Sequence, residues 1–347
     1  MNNKNRDKSI DVLKGIGILF VIAGHMQNYI PSSLLIYIYS FHMPLFFYIS
    51  GYLYRKEYEK MTIKEYVKKR AKQLLYPYLT LSIVNFIWYI IKEHQIKEIV
   101  KYLLAFLYSN CIFDINYVGA IWFLMCLFIV EVLYFLIKKD KNIKTTNIFI
   151  LILLTIGIMF ANIIKVRYIR LPFWIDIALF GICFYHLGNL IKNNVDLENI
   201  KLNKKIIIIF ITIFINVVGI IFNYKFCGIE KYKGRVDMLY LNLGNYILFF
   251  LSAISATLTW QIISKIIKEN KILEMFGKNT LIIMGIHIIV LQIITKIINV
   301  IMDILNMNIN VYLQGGIIFA FTAIISLLCS IFIKKFIPKI ILINNKN

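Results

Sequence analysis

His25 stands eleven positions after Lys14 in the segment RDKSIDVLKGIGILFVIAGH (6–25). On an α-helix that spacing is three turns to within about 20°, so the two side chains share one stripe some 16 Å apart, with Asp11 on the same face. A histidine titrates near neutrality and can take a proton from an alcohol, which acyl transfer to a hydroxyl requires. Four more residues have types suited to such a site: His42 in FHMPLFFYISGYL (41–53), Trp122 in GAIWFL (119–124), Asp176 in LPFWIDIALFG (171–181) and His287 in GKNTLIIMGIH (277–287). A carboxylate such as Asp176 can orient an imidazole or bind the hydroxyls of an acceptor. The basic run Lys68, Lys69, Arg70 and Lys72 would suit the phosphates of a nucleotide-bearing donor. Plainer readings stand beside these. Lys14 can snorkel, His25 can bond a neighbouring carbonyl, and the basic run can be orientation bias alone. His186 reads as structural and His94 as solvated, while Glu131 and Lys296 read as pairing or snorkelling groups. Chemistry alone supports an enzyme and a transporter equally.

The elements that must hold these residues are membrane helices. The chain has 347 residues, of which 60% are hydrophobic and 16% charged. The charges cluster between apolar runs of about 20 residues, the length that crosses a bilayer. A soluble enzyme, a disordered chain and a secreted disulfide scaffold are excluded. Ten spans are expected, near 11–30, 34–54, 74–92, 118–137, 146–164, 171–191, 205–223, 240–263, 280–300 and 314–336, with an interfacial helix at 97–109. The fold class is therefore all-α and polytopic, with one membrane domain over 1–347 and no appended soluble domain. Lysines and arginines divide 27 to 10 between the two sets of loops, which puts both termini in the cytoplasm. The net charge of +21 thus follows the membrane and gives no ground for a nucleic-acid partner. The first apolar run lacks a small-residue cleavage site and is read as a retained helix. Five scattered cysteines without C-x-x-C indicate neither a metal nor a disulfide framework. This topology sets Lys14 near the cytoplasmic face, His25, Trp122 and Asp176 in the outer half, and His42 and His287 near mid-membrane. Gly15, Gly17 and Gly24 allow close helix approach, and Pro44 is expected to break the second helix.

Taken together and in order, these segments resemble the membrane acyltransferase-3 family, the O-acyltransferases of surface and secreted carbohydrates. The likeness covers nearly the whole chain. Lys14 and His25 stand in the family's motif of a basic residue, ten residues, then histidine. FHMPLFFYISGYL, IWFL, WID with the later GNL (188–190), and GKNTLIIMGIH match further stretches. The resemblance implies acetyl-coenzyme A, or another acyl-coenzyme A, as a cytoplasmic donor and no metal. It implies a hydroxyl of a surface polysaccharide, or of its lipid-linked precursor, as acceptor in the plasma membrane. His25 would be general base or transient acyl carrier, with Lys14 supporting it or holding the donor. Trp122 and Asp176 would help seat the sugar, with His42 and His287 as further substrate contacts. Many members carry two arginines three apart before the third helix. Here Arg70 is followed by Gln73, which leaves Arg70 and Lys72 as candidates for the coenzyme phosphates. A transporter or exporter of a glycan or lipid-linked intermediate, and a scaffold in glycan assembly, are the competing readings, and neither needs a base at the Lys14–His25 spacing.

Overall fold

A computed structural model of the chain describes residues 7–93, 108, 116–139, 141–167, 170–229, 233–307 and 309–336. Of the interfacial helix expected at 97–109, only Tyr108 falls within them, and His94 lies outside. The described residues form helices and contain no strand beyond one isolated bridge between Asp237 and Asn242.

Helix α1 (Lys8–Gly24) starts at Asp7, whose carboxylate accepts the Ser9 N–H at 3.1 Å and caps an otherwise unsatisfied amide. The same carboxylate receives Lys265 Nζ at 2.6 Å, and that lysine also reaches Glu198 at 2.8 Å. The helix ends at Gly24 and not at residue 30, because the chain turns off at His25 (φ −85°, ψ 0°). At 17 residues α1 is about 26 Å long, short for a span.

The second apolar run is broken into α2 (Ser32–Tyr39) and α3 (His42–Tyr52). The break falls at Ser40–Phe41 and not at Pro44. Pro44 is the third residue of α3, in the first turn, where its missing N–H is no loss. The third run starts eleven residues earlier than expected. A capping box of Thr62 and Glu65 opens α4 (Ile63–Arg70), which passes through a π-helical turn at Ala71–Leu75 into α5 (Tyr76–Glu93). The basic run expected in a loop is therefore helical. The remaining elements are α6 (Trp122–Lys138), α7 (Ile143–Arg167), α8 (Ile175–Asn194), α9 (Leu202–Asn223), α10 (Tyr246–Ile267), α11 (Lys271–Ile304) and α12 (Val311–Phe336). Among the described residues nine helical segments are long and apolar enough to cross a bilayer. They are α2 with α3, α4 with α5, and each of α6 to α12. The flanks of α7, α9 and α12 expose Leu151, Met159, Phe210, Phe214, Leu328 and Phe332, as lipid contact requires. Most of α1 is buried, which makes it the centre of the bundle.

Two helix crossings fix the register around α1, and both are made by glycine. A Cβ on Gly15 would collide with the Leu273 carbonyl, and one on Gly277 with that of Asp11. Because Cβ atoms lean toward the helix N-terminus, this reciprocal pattern sets Gly15 level with Gly277 on parallel helices. The 262-residue offset between them also sets His25 level with His287. The α3–α8 contact repeats the device. Gly51 meets the Tyr185 carbonyl and Gly188 meets that of Tyr48, so the start of α8 lies level with the break between α2 and α3.

Filling one crossing should be costly. Gly277→Val should lower the thermal midpoint of the detergent-solubilised protein by an amount equivalent to about 1–3 kcal/mol of overpacking, with backbone displaced in place of a side chain. Gly316→Val is the control, since a Cβ there meets nothing within 4 Å, and it should leave the midpoint unchanged or raise it.

Candidate functional site: three histidines under an arginine-bearing loop

His25 leaves the end of α1 facing His287 on α11, with ring centroids 5.1 Å apart. The sequence places them at different depths, His25 in the outer half and His287 near the middle. The parallel glycine-lined contact puts them at one level. His287 Nδ1 lies 3.0 Å from both the Ile283 and Met284 carbonyls of its own helix. A carbonyl only accepts, so Nδ1 carries the hydrogen and Nε2 is left as an acceptor. That Nε2 is buried and has no partner among the described residues. His42, at the first turn of α3, is fixed the same way, with Nδ1 2.9 Å from the Ile38 carbonyl. Its ring packs edge-on against Tyr39 at 4.9 Å, and Tyr39 in turn lies 3.5 Å from the position of a Cβ on Gly24. Two of the three imidazoles are thus held as neutral acceptors beside the third. A buried acceptor without a donor, next to a histidine able to exchange a proton, suits a substrate hydroxyl.

The loop between α9 and α10 covers this cluster. Arg235 lies over the Tyr39 ring at 4.6 Å and donates from Nη1 to Gln27 Oε1 at 3.2 Å, two residues beyond His25. Asp237 and Asn242 bridge the loop through paired backbone hydrogen bonds of 2.8 and 2.9 Å. Arg170 ties the loop to α8, pairing with Asp176 Oδ2 at 2.5 Å and donating from Nη2 to the Leu239 carbonyl at 3.1 Å. Asp176, read in the sequence as a sugar contact, is 1% exposed, and its carboxylate holds Arg170 and the Ile177 N–H. Its place in the structure is that of an anchor for the loop. The two residues before Ile175 stand in the left-handed region without being glycine, Phe173 at φ 57° and Trp174 at φ 60°. Such backbone costs of order 1–3 kcal/mol per residue and persists where surrounding packing enforces it. Trp122 is buried and packs at 5.9 Å from Trp174, so it belongs to the wall behind this turn.

The donor-side candidates lie elsewhere. Lys14 is partly buried on α1, about 16 Å from His25 along the helix. Arg70 makes a two-pronged ion pair with Glu131 of α6 through Nε and Nη2, and Nη1 donates to Gln73 Oε1 at 2.6 Å. Glu131 is wholly buried, so its charge needs this partner. Arg70 therefore fastens α4 to α6, and Gln73 helps to orient it. Lys72 is exposed on the π-helical turn. His186, read as structural, is so: Nε2 lies 2.8 Å from Asn147 Oδ1 and Nδ1 3.1 Å from the Tyr134 hydroxyl. Among the described residues no three His, Cys, Asp or Glu side chains group as a metal site.

Sequence reasoning passed over Arg170, Arg235 and Gln27. Only six of the 39 basic residues are arginine. In so lysine-rich a chain a guanidinium is a signal of a directional hydrogen-bonding role, and Arg70, Arg170 and Arg235 all fill one.

The covering loop should respond to pH. Burial holds the Asp237 carboxyl up to about 6 against the opposing pull of Arg235. An acid whose folded value is raised stabilises fully below its unfolded value, near 3.9, and that stability is lost as pH rises through about 6. Hydrogen exchange of the amides at 233–245, corrected for intrinsic rates, should show more protection at pH 5 than at pH 7.5. Asp237→Asn should remove the difference. Equal protection in the wild type at both values would contradict the assignment.

An acyltransferase domain model matches residues 7–335. Nodulation protein NolL of Mesorhizobium japonicum is 32% identical over 170 residues, 46% of this chain and 42% of that protein. NolL of Sinorhizobium fredii is 40% identical over 84 residues, 22% of this chain and 23% of that protein. The chain therefore aligns with less than half the length of either relative. No solved structure matches. A match that runs from residue 7 to 335 takes in the histidine cluster, both glycine crossings and the Arg170–Asp176 tie, and by it this multi-pass membrane protein belongs to the acyltransferase-3 family.

Proposed function

We propose that this acyltransferase moves an acetyl group from cytoplasmic acetyl-coenzyme A to a hydroxyl of a cell-surface or exported polysaccharide, or of its lipid-linked precursor. The observation that carries the reading is the His25–His287 pair, two imidazoles at one level with an unpartnered buried acceptor between the helices. His25 takes the proton of the acceptor hydroxyl as its oxygen attacks the thioester carbonyl. The C–S bond breaks, and the coenzyme leaves as the thiol with that proton. The neutral His287, its hydrogen held on Nδ1, orients either the hydroxyl or the His25 ring. Arg235 and Tyr39 close the outer side, and His42 backs them.

On the donor side, exposed Lys68 and Lys72 suit the coenzyme phosphates, with Lys14 nearer the thioester. Arg70, committed to Glu131, positions the helix that carries them. With α1 counted as a span the chain crosses ten times, and the 27-to-10 division of basic residues sets both termini in the cytoplasm of a plasma membrane.

The test is acyl transfer from radiolabelled acetyl-coenzyme A in membranes that hold the chain and cellular glycans, with insertion verified in the same samples. His25→Ala should lower transfer by about 10²–10⁴, the range of a lost general base. His287→Gln, which keeps an acceptor and the polarity, should retain more activity than His287→Ala. Normal transfer by His25→Ala would overturn the mechanism.

A further inference from the structure

Arg235 carries a hydrogen-bond donor that the fold holds in place and leaves unused. Its main chain is fixed within the covering loop, where Asn242 Nδ2 donates to the Arg235 carbonyl at 3.0 Å and to that of Cys227 at 2.6 Å. The guanidinium is fixed as well, with Cζ 4.6 Å from the centre of the Tyr39 ring and Nη1 donating to Gln27 Oε1 at 3.2 Å. Asp237 attracts this cation without taking a hydrogen bond from it, and its carboxylate accepts the Leu239 N–H at 3.1 Å. Arg235 Nε is buried and has no partner among the described residues. A charged donor shut away from water and left unpaired is costly, so its place needs a reason.

The reason lies in where it stands. The Tyr39 ring beneath Arg235 packs on His42 at 4.9 Å and lies 3.5 Å from the position of a Cβ on Gly24, the residue before His25. Arg235 is accordingly within electrostatic reach of both His25 and His42. The Nδ1 hydrogens of His42 and His287 are spent on carbonyls, so those rings offer acceptors, whereas Arg235 offers a hydrogen. Acyl transfer needs both. The attacking hydroxyl needs an acceptor, and the thioester carbonyl needs a donor, because its oxygen becomes an anion in the tetrahedral intermediate. We infer that the Arg235 Nε–H stabilises this oxyanion and that Arg235 is a catalytic residue. The inference rests on the acyl-transfer role of His25. As the hydroxyl oxygen bonds to the carbonyl carbon, His25 takes the hydroxyl proton and the carbonyl π pair moves onto oxygen, where Arg235 meets it. The pair returns as the C–S bond breaks, and the coenzyme leaves as the thiol with the proton from His25. Arginine suits the task because it stays charged and presents Nε–H in a plane already set by Gln27 and Tyr39.

The experiment measures transfer from radiolabelled acetyl-coenzyme A to an extract of the cellular glycans, with the full-length protein in nanodiscs. Arg235→Ala should lower kcat by about 10²–10³ and leave KM for acetyl-coenzyme A unchanged, the mark of a contact made only in the transition state. Ethylguanidinium in solution should raise the rate of that variant about tenfold and saturably, and ethylammonium should not. Arg235→Lys keeps a cation over Tyr39 but has no Nε–H at that place, and should fail like the alanine variant. Gln27→Ala removes the outer tether alone and should cost less than about tenfold. Hydrogen exchange at 236–245 reports whether the loop stays closed. Where Arg235→Ala loosens it, Arg235→Lys and the guanidinium rescue decide. A purely structural arginine would give a raised KM, no rescue by ethylguanidinium, and near-normal kcat in Arg235→Lys, and any of these would overturn the inference. His25→Ala in the same assay separates the two readings. Transfer that survives His25→Ala defeats the acyl-transfer role itself, whereas transfer lost in His25→Ala and kept in Arg235→Lys defeats only the assignment of the arginine.

Discussion

The contact between α1 and α11 is the constraint on which the rest of the molecule depends. In lipid, helices gain nothing by hiding apolar surface from each other, so close association needs backbones that can touch. Gly15 and Gly277 supply that approach reciprocally, and reciprocity fixes register as well as distance. A single small residue would let the helices slide. Two of them, each against the other's carbonyl, allow one alignment, and it is the alignment that brings His25 beside His287. The α3–α8 crossing repeats the solution and seats the strained Phe173–Trp174 turn where Asp176 and Arg170 can pin the covering loop.

Around this frame the charges divide by task. Lys265 with Asp7 and Glu198, Arg70 with Glu131, and Arg170 with Asp176 are partly or wholly buried pairs that hold helix ends or a loop in place. Each is laid where a lone charge would be costly, and each fastens elements that sequence separation alone would leave loose. The imidazoles are treated differently. The Ile38 carbonyl of α2 takes one ring hydrogen of His42, and carbonyls of α11 take that of His287 and leave its Nε2 as a buried acceptor. In the proposed mechanism, fixed tautomers next to a histidine at a helix end prepare the site for proton transfer before any substrate arrives.

Much of the architecture was legible because a bilayer imposes a simple rule, an apolar run of about 20 residues for each crossing. The histidines were legible for the same reason, since a titratable group in such a run is costly enough to need a purpose. What escaped the sequence was whatever depends on contacts between distant segments. The depth of His25 relative to His287 follows from a register 262 residues apart. The commitment of Arg70 depends on Glu131, 61 residues on, and the hold of Arg170 on the covering loop depends on the Leu239 carbonyl, 69 residues on. Pro44 drew the break in the second helix to itself, although a proline in a first turn interrupts nothing. One local signal was present and went unused: Thr62 and Glu65 form a capping box, which marks the basic run after them as helix.

The central claim is that α1 and α11 lie parallel with His25 and His287 in lateral contact. It is tested most directly by replacing both with cysteine in a background cleared of the five native cysteines, then treating intact membranes with a short bifunctional thiol reagent. One connecting loop in the chain between α1 and α11 is cut by an introduced protease site, so that a cross-link is read as two fragments held together. The account expects efficient joining of the 25/287 pair and none for a 25/186 control pair. Failure of 25/287 to join in protein shown to be inserted and thiol-accessible would contradict the register from which the site is built.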